Sequence, residues 1–392
     1  MGMTYIAAIR RGRAFAAAAI TAITATVTAA ALLASTASAA TTPWTVVPSA
    51  DAGTAADNVL HGVAMLGASD GFAVGGFAPS GSGIQATIQR WNGTAWTLMP
   101  TPSPDFFDVL NGVAALSPTD VWAVGGAEST AGAAQTTLIE HYDGTAWTIV
   151  PSPNTGVSNR LNAVAARAAD DVWAVGQDGV NESQPIIEHW NGTAWSVVTG
   201  AALPAGATAL LTGVTTTPDG AVWAVGAVQT PVKPEGVSRR AYIERLLGGT
   251  WQSLPVPATT AGLNVTLNAV SAASATDVWA VGALGGHPLA EHWDGTSVSI
   301  VPTPAISGAS VVLKGVTAVA AHDAWFVGDQ SLATVSMRSD GTTTTVQPTP
   351  TGSSRGDLTA VTSVGTTLFA VGSQTGAAGT ASRNLALTDP NG

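Results

Sequence analysis

The run Val121-Trp122-Ala123-Val124-Gly125 returns in near-copy along the chain, and it constrains the fold more than any other feature. The copies run from Phe72 to Gly75, Trp122 to Gly125, Trp173 to Gly176, Trp223 to Gly226, Trp279 to Gly282, Trp325 to Gly328 and Phe369 to Gly372. Successive glycines lie 50, 51, 50, 56, 46 and 44 residues apart. A period near fifty marks a repeat architecture, in which each unit buries its apolar face against the next.

The second unit shows what one repeat contains. Leu110 to Leu116 alternates apolar and small or polar residues as a strand does, and Ser117-Pro118-Thr119-Asp120 reads as a tight turn. Val121 to Val124 is a second strand, with Trp122 and Val124 on one side and Val121 and Ala123 on the other. Gly125-Gly126 ends it, and a variable Gly/Ala/Ser/Thr loop follows. Leu138 to Tyr142 is a third strand, Asp143-Gly144 a hairpin turn, and Trp147 to Val150 a fourth.

Four antiparallel strands per unit, with no helical period beyond the N-terminal segment, predict an all-β chain. The expected fold is a seven-bladed β-propeller. All 13 tryptophans fall on second, third or fourth strands of this scheme, where their rings would fill the space between blades.

The seventh unit stops at Asn391-Gly392 without a fourth strand. Thr42-Pro43-Trp44-Thr45-Val46-Val47-Pro48, placed after it, rebuilds the Asn-Gly-Thr-x-Trp run of Asn92 to Trp96 and Asn191 to Trp195. The N-terminal strand is therefore expected to complete the last blade and close the ring, removing a bare sheet edge.

Before that strand lies a different kind of segment. Arg10, Arg11 and Arg13 precede an apolar run from Ala14 to Ala34, and Ala37-Ser38-Ala39 supplies a small-x-small cleavage site. Residues 1–40 read as a secretory signal peptide and 41–392 as one propeller domain. No Phe-Leu pair follows Arg10-Arg11, which favours the general export route over twin-arginine export. The expected destination is extracellular.

Export removes three of the 14 basic residues and none of the 25 acidic ones, so the mature net charge is 11 minus 25, or −14. Such a chain repels nucleic acid and anionic membrane, so neither is an expected partner. It contains no cysteine, which excludes disulfides and thiolate chemistry. The expected state is a monomer.

The order Gly125-Gly126, Tyr142, Trp147, Pro151 resembles a kelch repeat, the unit of galactose-oxidase-like propellers and of many interaction proteins. Only Gly75-Gly76 and Gly125-Gly126 keep the double glycine. The Asp-Val-Trp-Ala-Val strands are also similar to tectonin-type lectin propellers, and the whole resembles repeat-rich secreted proteins of actinobacteria. The Asp-Gly-Thr-x-Trp turns resemble the aspartate boxes of sialidases. A galactose-oxidase-like copper site needs a cysteine-linked tyrosine, and this chain cannot make one.

Glu140-His141, Glu188-His189 and Glu291-His292 are the tempting chemical pairs. Neighbours on a strand face opposite ways, and the pairs recur from blade to blade, so they read as blade packing. Asp120, Asp171, Asp277 and Asp323 precede second strands and read as turn residues bonding their own backbone. Asn92 and Asn191 fit glycosylation sequons but occupy the repeated hairpin turn. No catalytic residue, metal site or cofactor is expected.

Binding is expected on the face where the 2–3 and 4–1 connections emerge, because variable loops on a rigid scaffold carry recognition. The candidates are Asp105, Phe106, Phe107 and Asp108, with Lys233, Glu235, Arg239 and Arg240 of the insertion at 231–240, and His287. Weaker candidates are Asp178, Asn181, Glu182, Arg355 and Asp357. The expected function is a secreted, non-catalytic propeller that binds an extracellular protein or cell-wall glycan. A lectin is the first alternative and a sialidase-like glycoside hydrolase the second.

Overall fold

The computed structural model describes residues 44–53, 56–79, 83–179, 184–231, 237–257, 264–331, 333–350, 355–375 and 381–392. The signal-peptide reading, Thr42, Pro43, Asn181, Glu182, Lys233 and Glu235 lie outside them. Within the unit 41–392, 28 strands form seven four-stranded antiparallel sheets, and the described residues contain no α-helix. Blade 2 consists of Phe107–Ser117, Asp120–Glu128, Thr136–Tyr142 and Trp147–Ile149, hydrogen-bonded in that order.

The second strands are buried on both sides, and their alternation divides them between two cores. Val121 and Ala123 pack with Phe72, Val74 and Ile88 of blade 1. Trp122 and Val124 pack with Leu161, Val172 and Trp195 of blade 3. Seven such cores, one per junction, run around the ring. The tryptophans fill them: Trp122 meets Trp195 edge-on at 5.4 Å, and Trp173 meets Trp251 at 5.8 Å. Large rings suit this role because they bury much apolar area in one piece.

The last blade closes as the sequence suggests, though with a shorter strand. Thr45–Val46 pairs antiparallel with Ser382–Asp389, in register Thr45↔Thr388 and Val46↔Leu387. Trp44 is buried against Trp325 at 6.0 Å and donates from Nε1 to Ser336 Oγ at 3.1 Å.

A second repeated motif, Leu-x-(Gly/Ala)-Val, shapes the inner strands. In every blade the ladder skips one residue between the Leu and the small residue, as between Leu60 and Gly62 or Leu110 and Gly112. Such a bulge bends the strand and re-aims the extra side chain. The small residue is needed because adjacent inner strands nearly touch: a methyl on Gly112 would lie 3.0 Å from the Cα of Ala163.

The bulge also explains the glycine of Trp-Ala-Val-Gly. Gly125 lies opposite Leu110, and a methyl there would overlap the carbonyl oxygen of Val109. The same clash recurs at Gly75, Gly176, Gly226, Gly282, Gly328 and Gly372. The two motifs are therefore two sides of one backbone arrangement. Gly125→Ala is expected to cost about 3 kcal/mol or more, the upper range for overpacking. Gly67→Ala, into open space, is its control. Equal melting temperatures for the two variants would refute the clash.

Candidate functional site

The seven inner strands surround a central channel of about 500 Å³. The bulged residue of each blade lines it: His61, Asn111, Asn162, Thr212, Asn268, Lys314 and Thr359. Five of these donate to the leucine carbonyl of the next blade. Asn111 Nδ2 reaches Leu161 O at 2.8 Å, Asn162 Nδ2 reaches Leu211 O at 2.7 Å, and Asn268 Nδ2 reaches Leu313 O at 2.7 Å. Thr212 Oγ1 reaches Leu267 O, and Thr359 Oγ1 reaches Leu60 O, each at 2.6 Å. This hoop ties blade to blade around the axis.

His61 and Lys314 depart from the hoop, and both bring titratable groups into the channel. Lys314 Nζ lies 2.7 Å from Asp357 Oδ2 and 3.1 Å from Asp329 Oδ1. Burial alone would lower its pKa, but the two carboxylates raise it above the ordinary lysine value. His61 is pushed down to about 4, first by burial and then by the charges of Arg160 and Lys314, so its imidazole is neutral at pH 7. Arg160, from the start of an inner strand, donates from Nε to Asn162 Oδ1 at 3.1 Å. Among the described residues no carboxylate pairs with it. Among the described residues, Arg160 is thus the channel cation without a carboxylate partner.

Asp357 and Arg160 each stand second in their inner strands, and Asp329 stands next to last in a second strand. These positions place them toward the 2–3 and 4–1 connections. There Lys314, Asp329, Arg355 and Asp357 line a further cavity of about 260 Å³. The weaker sequence candidates Arg355 and Asp357 therefore belong to the channel mouth.

The main sequence candidates fare unevenly. Phe106 is exposed, whereas Phe107 is half-buried and begins an inner strand. Asp108 is a correction. It is fully buried, and its Oδ2 accepts from Ser103 Oγ at 2.9 Å and from the Asp105 N–H at 3.0 Å. Burial raises its pKa despite those bonds. These two bonds hold Oδ2 within the turn that precedes the inner strand.

The insertion is also corrected. Its described residues, Pro231 and 237–240, lie in the hairpin of blade 4, with Thr230↔Ser238 and Gln229↔Arg239 paired, so Arg239 and Arg240 are strand residues. Arg240 is exposed, and Arg239 is half-buried with an unpartnered Nε. His287 is exposed but follows a two-residue Gly285-Gly286 turn, so blade 5 has no long 2–3 loop. Phe106, Arg239 and His287 come from three blades, and no hydrogen bond or ion pair joins them.

The aspartates before second strands are not turns bonding their own backbone. They pair across to the third strand: Asp120 with His141, Asp171 with His189 and Asp277 with His292, each at about 3 Å, and Asp70 and Asp323 bidentate with Arg90 and Arg338. The self-capping residues are those of the 3–4 turn. Asn92 Oδ1 accepts from the N–H groups of Thr94 and Ala95, and Asp143, Asn191, Asp294 and Asp340 do the same.

The third-strand glutamates, Glu140, Glu188 and Glu291 beside histidines and Glu244 beside Arg245, turn the other way and are buried. Thr101 Oγ1 donates to Glu140 at 2.5 Å, and the Ala201 N–H to Glu244 at 2.8 Å, while both oxygens of Glu188 and of Glu291 lack partners. Burial pushes Glu140 and Glu188 up to about 8 and Glu244 and Glu291 up to about 7.

The sequence reading missed one grouping. His322, from the 1–2 turn of blade 6, joins the Asp277–His292 pair of blade 5, with the three side chains' ligand atoms within 4.8 Å of one another. The available signal was a histidine in the turn slot held by Ser69, Thr119 and Thr276 elsewhere.

No protein-family model matches the chain, and no curated protein matches it. Among solved structures it is similar to one described as YCF48 bound to D1 peptide, at 13% identity and a TM-score of 0.56, covering 89% of this chain and 96% of that one. An α-L-arabinanase of Penicillium chrysogenum complexed with arabinobiose matches at 14% identity and a TM-score of 0.45, covering 78% and 96%. The fucose-recognising Aleuria aurantia lectin matches at 12% identity and 0.46, covering 76% and 97%. The first of these speaks to architecture alone, in line with the seven four-stranded sheets: the chain is a seven-bladed β-propeller.

Proposed function

We propose that the protein is exported and acts as a non-catalytic binding propeller for an extracellular protein or cell-wall glycan. The ligand docks on the face of the 2–3 and 4–1 connections and sends an acidic group into the channel toward Arg160. The observation that carries this reading is Arg160 itself, a guanidinium lining a channel of about 500 Å³ with no carboxylate of the described residues on it. A guanidinium keeps its charge in proteins, so an anionic group is the complementary ligand chemistry. Kinship with kelch or tectonin-type propellers rests on the spacing of Gly125-Gly126, Tyr142, Trp147 and Pro151 and is proposed on that alone.

A lectin is the second reading, favoured by Phe106, 42% exposed at the start of blade 2, where a sugar face can stack. A hydrolase would need free paired carboxylates, whereas Asp329 and Asp357 at the mouth share Lys314. Screening the mature chain on glycan arrays and against secreted proteins separates the readings. Capture of an acidic protein or glycan, weakened by salt, is the expected result. Capture of neutral sugars alone, lost in Phe106→Ala, would replace it with the lectin.

A further inference from the structure

We propose that Asp277, His292 and His322 bind a divalent transition-metal ion, zinc by its ligand chemistry, across the junction of blades 5 and 6. Two imidazoles and a carboxylate form a ligand set that suits zinc. Their ligand atoms lie within 4.8 Å of one another. Around a tetrahedral zinc such atoms stand about 3.4 Å apart, given bonds of about 2.0–2.2 Å. The remaining closure falls on His322, whose side chain is 62% exposed against 7% for His292. Three protein ligands leave a fourth position for water.

The Asp–His pair alone is not a metal site, because blades 2 and 3 contain the same pair as a structural hydrogen bond. Blade 3 also shares the tryptophan contacts, Trp173 donating to Asp171 and lying over His189, so what sets blade 5 apart is the third residue, His322. Asp277 Oδ1 accepts from Trp279 Nε1 at 2.8 Å, and Oδ2 accepts from the His322 N–H at 2.6 Å. The ring of His292 lies over Trp279 at 4.3 Å. These contacts fix the carboxylate and one imidazole before any ion arrives, as supporting groups do in metal sites.

His322 is the anomaly. It has φ of 63°, one of two non-glycine residues with positive φ among those described. Its Cβ fits against Gly341, where an added methyl would lie 2.7 Å away. The equivalent contacts in other blades are made by Ser69, Thr119 and Thr276. A residue held in the left-handed region by its surroundings is a pointer to function. This one brings a second imidazole to 5.6 Å from the first, ring to ring. An ion seated there takes the place of the proton between His292 Nε2 and Asp277 Oδ1 and links two blades.

The test uses the mature chain without a polyhistidine tag. Calorimetry with zinc alone should show one ion per chain and a raised melting temperature, because a ligand that binds only the folded state stabilises it. Cobalt should give the visible absorption of a four-coordinate site. His322→Asn suits the positive φ but removes the imidazole, and it should weaken binding at least about a hundredfold and abolish the cobalt spectrum. His141→Ala, which breaks the pair of blade 2, should leave both unchanged. No binding by the wild type, or undiminished binding by His322→Asn, would overturn the proposal.

Discussion

Deleting residues 41–49 from the unit 41–392 is expected to destabilise it more than any single core substitution. The segment supplies the outermost strand of blade 7 and the stitch to blade 1. It takes away Trp44, 1% exposed, together with the Thr45↔Thr388 and Val46↔Leu387 pairing and the Val47 N–H to Ala386 O bond at 2.9 Å. It also removes the Trp96 N–H to Pro48 O bond at 2.9 Å and the hydrogen bond between Ser49 Oγ and Gln89 Oε1 at 2.9 Å. Truncating a buried tryptophan alone costs about 3–5 kcal/mol. Opening the ring adds an unpaired edge along Ser382–Asp389. Trp44→Ala should show the smaller share of the loss, and the deletion the whole, in urea unfolding. A deletion that unfolds like the full chain would contradict closure by this strand.

The second large effect is a loss of stability on the alkaline side of neutrality. Glu140, Glu188, Glu244 and Glu291 are held up to about 7–8 in the folded state, against 4.5 for an ordinary glutamate. Between those limits the folded state keeps protons that the unfolded state has lost, so stability falls as pH rises. The contribution is full below about pH 4.5 and gone above about pH 8.

His61, pushed down to about 4 from 6.5, works the other way: its contribution is present above pH 6.5 and is lost as pH falls toward 4. Asp143 and Asp294, lowered to about 2 by the turn hydrogen bonds, likewise lose their contribution only in acid. Above pH 6.5 the glutamates act unopposed. Urea midpoints are expected to drop between pH 6.5 and 8.5 by an amount on the order of several kcal/mol, given about 1.4 kcal/mol per group and unit. Glu188→Gln with Glu291→Gln keeps the shapes and removes two ionisations, so the slope should roughly halve. A flat wild-type profile would show that these carboxyls are not held protonated.

Much of this architecture could be read from the sequence because it is periodic. Trp122 and Val124 alternate with Val121 and Ala123, and the structure sends the two sets to different blade junctions. The closing strand was legible because Asn391-Gly392 and Trp44 complete a run found elsewhere. The channel was harder to see. Leu-x-(Gly/Ala)-Val reads as plain alternation, whereas a bulge at x turns His61 and Lys314 inward. Bulges leave no signature that alternation can reveal.

Asp108 misled because a short acidic and aromatic run looks like a surface loop, while its burial depends on a strand beginning at Phe107. His322 joins Asp277 from another blade, and only the fold brings residues 45 positions apart together.

Recognition through the channel face can be measured by titrating the captured ligand against wild type and Arg160→Ala. Both proteins should melt alike, since among the described residues the Arg160 side chain bonds only Asn162 Oδ1. Binding is expected to be at least about tenfold weaker in the variant, with the salt dependence of the wild type largely lost. Equal affinity and equal salt dependence in the two proteins would contradict it.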